Sequence, residues 1–415
     1  MHGRIRPFPA ALVAVALLAT ACGTATSDEP QAAPTRTAQA VRVSFQAEHR
    51  VTAADTAFAQ SLWAKLGADD GNVVLSPASI ATALQMAYAG ARGETATEMA
   101  RALHLGTDVT AADIAAAAGA MLTQLQLAST KKSLLNVADQ VWLQRDFPVL
   151  PAYTQAMANE FDSAFHLTDF AGHPEDARKA INASVAAQTH DRIQDLIAPG
   201  TDLSAARLIL TNAIYLNAAW AAPFESSQTA PAAFTRADRS VVRPDTMHAE
   251  ESFDYAATSD YQAVRLPYTG NRLAMTLLLP ARGRPLAWPA AAPSFASASV
   301  DLALPKFTFT WGADLAETLR AMGMPAAFTD AADFGGISPK PLRIGGVPHK
   351  AFIAVDETGT EAAAATAVEI LAGAAAAPGS VEHLHFDRPF LFRIDDTATG
   401  LPLFLGKVAD PTLVG

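Results

Sequence analysis

His383 and His385 stand two apart in the segment VEHLHF, which puts both imidazoles on one face if that segment is a strand. Such a pair is half of a metal site. No carboxylate or thiol cluster can be assigned from the sequence to complete it, so the pair reads as two surface histidines and no metal is expected. Serine, histidine and aspartate all occur, yet nothing orders them into a nucleophile–base pair. The chain also lacks a GxSxG elbow, an HExxH zinc helix, a GxxxxGK[ST] phosphate loop and a glycine-rich dinucleotide fingerprint. The expectation is a protein with neither catalytic residues nor a cofactor.

A second stretch raises a different question. Residues 356–380 read DETGTEAAAATAVEILAGAAAAPGS, with no charge between Glu361 and Glu369. Strong helix formers ended by Gly373 look like a capped helix. The flanks argue otherwise, because HKAFIAVDE before it and FDRPFLFRI after it have the character of buried strands. An excursion from a sheet fits those flanks better.

The elements around these residues follow from pattern. TAFAQSLWAKL has apolar residues at helical spacing. Ser76-Pro77 opens a helix that Gly90 and Gly93 stop, and GETATEMARAL starts another. Then come strand-like runs: LLNVADQVWL, ARLILTNAIYLNAAW, YQAVRLPY, RLAMTLLLP, VDLALPKFTF, HKAFIAVDE, RPFLFRIDD and PLFLGKVAD. Helices early and long strands later predict an α+β fold.

The chain has 415 residues, about half of them hydrophobic, and a net charge of −11. That is ample for a large core and offers no basic footprint for nucleic acid. Arg4 and Arg6 precede the apolar run AALVAVALLAT, a signal-peptide plan too short for a typical transmembrane span. The sole cysteine, Cys22, follows LLATA, which resembles a bacterial lipobox. The reading is a lipoprotein signal at 1–21, a flexible Thr/Ala/Pro/Ser/Gln-rich tether at 22–50, and one domain at 51–415. The protein is then extracytoplasmic and held to the cell surface by a lipid on Cys22, with plain secretion as the alternative. The stretch 281–299 reads as a surface loop, not a linker between domains.

Several segments, in one order, carry a resemblance: NVVLSPASIATALQMAYAGARGET, LTNAIYLNAAWAAPF, LPKFTFTWGADLAETLRAMGM, AADFGGI, HKAFIAVDETGTEAAAAT and FDRPFLFRIDDTATGLPLFLGKVADP. Over residues 51–415 the chain resembles the serpin family of suicide serine-protease inhibitors. The resemblance implies a serpin fold with three β-sheets, eight or nine helices and an exposed reactive-centre loop at about 357–381. Two departures stand out: a shorter, Pro/Ala-rich 281–299, which puts one peripheral helix in doubt, and a loop a few residues long on its far side.

It also implies that the loop can enter the main sheet as an extra strand, and the residues can be tested against that. With period two, Thr360, Ala362, Ala364, Thr366, Val368 and Ile370 would face inward, all small or β-branched, while Glu361 and Glu369 would face water. The run Ala362, Ala363, Ala364 and Ala365, with Gly359 as hinge after Glu357, is small enough to slip between packed strands. Ser76, Ser79, Asn212 and His349 fall where the family has the polar "shutter" that lets the sheet open, and Trp220 and Lys350 where it has sheet packing. Counting from Glu357 in the family's register places the cleaved bond at Gly373–Ala374; counting back from Pro389 gives a position near Pro378, and cleavage after Leu371 or Ala372 stays open. Between Thr358 and Val381 there is no Lys, Arg, Phe, Tyr or Trp. That argues against a trypsin-like target and points to elastase-like or subtilisin-like serine proteases, trapped as covalent acyl complexes by a monomeric inhibitor. The alternative is a non-inhibitory serpin that serves as a surface binding protein.

Overall fold

The computed structural model describes residues 45–68, 70–106, 110–127, 133–137, 139–161, 165–361 and 381–413. The signal segment, Cys22 and most of the expected tether lie outside these residues. The first helix, Phe45–Leu66, begins six residues before the boundary expected at 51, so 45–50 belong to it and not to a tether. Its buried Val51, Ala54, Phe58 and Leu62 recur at the spacing of one helix face.

Ser76 caps the helix Pro77–Tyr88: its Oγ accepts from the Ser79 N–H at 3.2 Å, and Pro77 occupies the first turn, where a missing N–H costs nothing. Residues 77–87 of this helix are all buried, so it runs through the core instead of along the surface. The helices Gly93–Ala102, Ala111–Leu127, Pro151–Ala156, Pro174–Gln188 and Ala316–Ala321 complete the set. Seven α-helices are therefore present among the described residues, fewer than the eight or nine expected. Residues 281–295 contribute none, because Pro285, Pro289 and Pro293 each remove a helical N–H and clash with the preceding turn.

Among the described residues there are three sheets. The nine-stranded one runs in the order Val73–Leu75, Pro402–Val408, Phe390–Asp396, Leu273–Pro280, Tyr261–Pro267, Asp245–Ala257, Ala296–Pro305, Glu382–His385, with Ala230–Pro231 paired to Asp245–Ala257. The seven-stranded sheet runs Phe307–Asp314, Pro348–Val355, Gly359–Thr360, Leu208–Ala219, Gln140–Gln144, Phe165–Thr168, with Ser133–Val137 also on Leu208–Ala219. A small ribbon joins Phe234–Thr235 to Val241–Val242.

The central strand Leu208–Ala219 is buried on both faces. Leu208, Leu210, Ile214 and Leu216 enter the main core, while Ile209 and Ala213 face a second apolar cluster. That cluster contains Ile181 and Val185 of the helix Pro174–Gln188, which thus lies across the other face of the sheet.

Candidate functional site

The site is the interval between strands Leu208–Ala219 and Pro348–Val355. At one end the two strands pair directly and in parallel, His349 with Asn212, Lys350 with Ala213 and Ala351 with Ile214. At the other end they part, and Gly359–Thr360 fills the space as a strand antiparallel to both. The chain turns into this position through Asp356, whose Oδ1 accepts from the backbone N–H groups of Thr358 (2.8 Å) and Gly359 (3.2 Å). An aspartate that ties down the backbone two residues on is a standard turn former.

Two side chains mark how closely the hinge is held. A Cβ on Gly359 would lie 2.1 Å from the Ala218 carbonyl oxygen, so only glycine can approach this backbone. Thr360 is 2% exposed, and its Oγ1 lies 2.6 Å from the Tyr268 hydroxyl. Burial pushes that phenol's pKa up, and it stays neutral. Tyr268 stacks on Trp220 with ring centroids 4.5 Å apart. Trp220 in turn holds the turn, donating from Nε1 to the Asp356 carbonyl at 3.0 Å and from its backbone N–H to that of Thr358 at 2.9 Å. Thr360 is thus inward, as its parity predicts.

Glu361 departs from the expectation that it faces water. Its side chain is only 9% exposed and pairs with Arg192. Its φ is +49°, a left-handed conformation costly for a side chain with a Cβ. The chain leaves the sheet here, which breaks the alternation that would have turned Glu361 outward. Burial raises its pKa, and Arg192 only partly offsets that. Glu357, before the turn, accepts from Thr229 at 2.8 Å and from Lys306 at 2.9 Å. Burial pushes this carboxyl up, but those partners outweigh it and its pKa is net lowered. Ala362 to Thr366 and the bond Gly373–Ala374 lie outside the described residues.

At the closed end the structure brings Ser76, Ser79, Asn212 and His349 together. The Ser76 backbone N–H donates to His349 Nε2 at 3.2 Å, so the ring proton sits on Nδ1, which donates to Asn212 Oδ1. Burial depresses the His349 pKa to about 3, and the ring is neutral. Ser79 donates to Asp139 Oδ1 at 2.6 Å. The sequence reading missed Asp139, a buried carboxyl whose pKa burial raises well above the usual range. The signal was present, since Asp139 interrupts LLNVADQVWL, a run otherwise fit for one unbroken strand. Asn212 Nδ2 is buried and finds no acceptor among the described residues.

The serpin profile, "serine protease inhibitor", matches residues 53–411. The chain belongs to the serpin family. This serpin is 37% identical to an uncharacterized serpin-like protein of Thermococcus kodakarensis, over 88% of this chain and 86% of that one. Its fold superposes on human thyroxine-binding globulin with thyroxine at a TM-score of 0.80 and 26% identity, covering 88% of this serpin and all of that chain. It superposes on Tengpin, a thermophilic serpin in its native state, at 0.76 and 28% identity, over 87% and 94% of the two chains. Serpins are inhibitors of serine proteases as a family, and the thyroxine complex is a reminder that some members carry small molecules instead.

Proposed function

We propose that this serpin is a suicide-substrate inhibitor that traps elastase-like or subtilisin-like serine proteases. The observation that carries this reading is the half-filled sheet: the first two hinge residues already form a strand, while the far end of the same interval remains closed on His349 and Asn212. A protease attacks the loop as a substrate and its own serine forms an acyl-enzyme. Cleavage frees the hinge side, which zips inward from Thr360 and carries the bound protease with it, before water reaches the ester. Each inserted residue adds ladder hydrogen bonds, and Val368 and Ile370 would contribute roughly 1.5–3 kcal/mol each on full burial.

The shutter then has a defined task. Zipping must separate His349 from Asn212, and the free Nδ2 of Asn212 offers a donor for the arriving strand. A buried polar group without a partner costs about 1–3 kcal/mol, so giving it one favours the inserted state. The scissile bond belongs at Gly373–Ala374, where small residues suit shallow pockets. A lipid on Cys22 would hold the inhibitor at the cell surface, with the target protease as its one macromolecular partner.

The test is incubation with elastase and with subtilisin, resolved on denaturing gels. A complex that survives SDS is the expected result, with an N-terminal fragment ending at Gly373. Clean cleavage of the loop with no complex would show instead a serpin of the non-inhibitory, binding kind.

A further inference from the structure

The nine-stranded sheet brings a third ligand to the two histidines. Glu382–His385 lies parallel to Ala296–Pro305 in a register that sets Asp301 beside His383 and Ala303 beside His385. Paired residues in a sheet share a face. Leu302 and Leu384, between them, are fully buried on the core side, so Asp301, His383 and His385 project outward together. One oxygen, Asp301 Oδ2, lies 2.8 Å from His383 Nδ1 and 3.0 Å from His385 Nε2. The three potential ligand atoms are all within 4.8 Å of one another.

We propose that Asp301, His383 and His385 form a surface site for a divalent transition-metal ion of the zinc class. Two imidazoles and a carboxylate are ligands that Zn2+ accepts, at about 2.0–2.2 Å each. Ligands at that distance around a tetrahedral ion stand about 3.3 Å apart. The two Asp–His separations need open by only a few tenths of an ångström, within reach of small side-chain rotations on an exposed face. A fourth position is supplied by water or by the next strand. There, His248 is in register with Ala303, and its ring lies 6.4 Å from that of His385. Ala303, between the two rings, leaves room for them to converge.

The position gives the ion a mechanical consequence. Among the described residues, Glu382–His385 is the edge strand of its sheet, four residues long and paired on one side. It begins directly after Val381, so it anchors the far end of the segment 362–380. A metal shared between His383, His385 and Asp301 adds a cross-link between this strand and Ala296–Pro305, its one strand partner among the described residues. The ion therefore holds the strand down. The site itself depends only on the sheet, not on the inhibitory reading.

The test is equilibrium dialysis of the whole chain against Zn2+ alone, alongside visible spectroscopy with Co2+ as a reporter of coordination. One zinc per chain is expected, and both Asp301→Asn and His383→Gln, which remove ligands outright, should weaken it by at least the roughly 10–100-fold that losing even an outer-shell partner costs. Zinc should also raise the melting temperature of the wild-type chain but not of a His383→Gln/His385→Gln double variant. These side chains are at the surface, so the metal-free variants should melt close to wild type. Absence of zinc binding, or the same binding in the double variant, would overturn the site and leave the cluster as hydrogen bonds alone. Neither outcome bears on protease trapping, which is read separately from the SDS-stable complex.

Discussion

The two ends of one interval in the seven-stranded sheet are held by opposite means. At the hinge end, strands Leu208–Ala219 and Pro348–Val355 are separated by Gly359–Thr360, which is held by close backbone packing at Gly359 and by the buried Thr360–Tyr268 hydroxyl pair beside the Trp220-anchored turn. At the shutter end the same strands touch, and the contact is a chain of buried polar groups running from Ser76 through His349 to Asn212. Packing at the first end is hard to reverse, since a wrong side chain meets backbone. Hydrogen bonds at the second end can be exchanged for others. A sheet that opens from one direction, as proposed, would use that asymmetry: a fixed start and a releasable stop.

The sharpest way to break the comparison is at Thr360. Thr360→Arg puts a cation where the side chain is 2% exposed and faces Tyr268, an unpaired buried charge that costs several kcal/mol. The hinge strand should be expelled, and the variant should be cleaved as a substrate with no SDS-stable complex. Retained trapping would mean that inhibition does not depend on Thr360 staying seated in the sheet.

The shutter end is tested by pH. His349 is held near 3, against an ordinary value of 6.5 that it regains on unfolding. Its contribution to stability is full above pH 6.5 and is lost as the pH falls toward 3, at up to about 1.4 kcal/mol per pH unit. Asp55 acts in the opposite sense. Burial lifts it from 3.8 to about 7, so its contribution is full below pH 3.8 and fades as the pH rises through 7. The two overlap in wild type, and the informative quantity is the difference between wild type and His349→Gln in urea unfolding. That gap should shrink steadily from pH 6.5 downward; parallel profiles would show that His349 is not a buried neutral ring. The smallest effect belongs to Arg192→Ala. Arg192 is half exposed, so losing its pair with Glu361 should cost under about 1 kcal/mol. A larger loss in thermal melts would make the exit point of the hinge, not its seat, the stronger hold.

Much of this was legible in the sequence. Ser76-Pro77 marked the start of its helix, LAMTLLLP gave a strand buried along its whole length, and HKAFIAVD gave one whose burial alternates residue by residue. Asp245–Ala257 was not found: DTMHAEESFDYAA is charged and carries no period-two signal, since much of its length is exposed and only its pairing partners make it a strand. Thr360 could be assigned inward from parity. Glu361 could not be placed, because its orientation depends on where the chain leaves the sheet. The ligand set at His383 and His385 was hidden for a plainer reason: Asp301 is 82 residues away and only the parallel register brings it alongside.

The helix Pro174–Gln188 adds a matter of timing. Its Ile181 and Val185 belong to an apolar cluster that includes Ile209 of one flanking strand, with Phe352 of the other packed against it. If the sheet opens as proposed, those two strands part, and this cluster is a strap across the seam. Each residue zipped past the hinge would then have to stretch it. An inhibitor of the proposed kind would race hydrolysis of its own acyl bond, and the packing of a few side chains on one helix would enter that race.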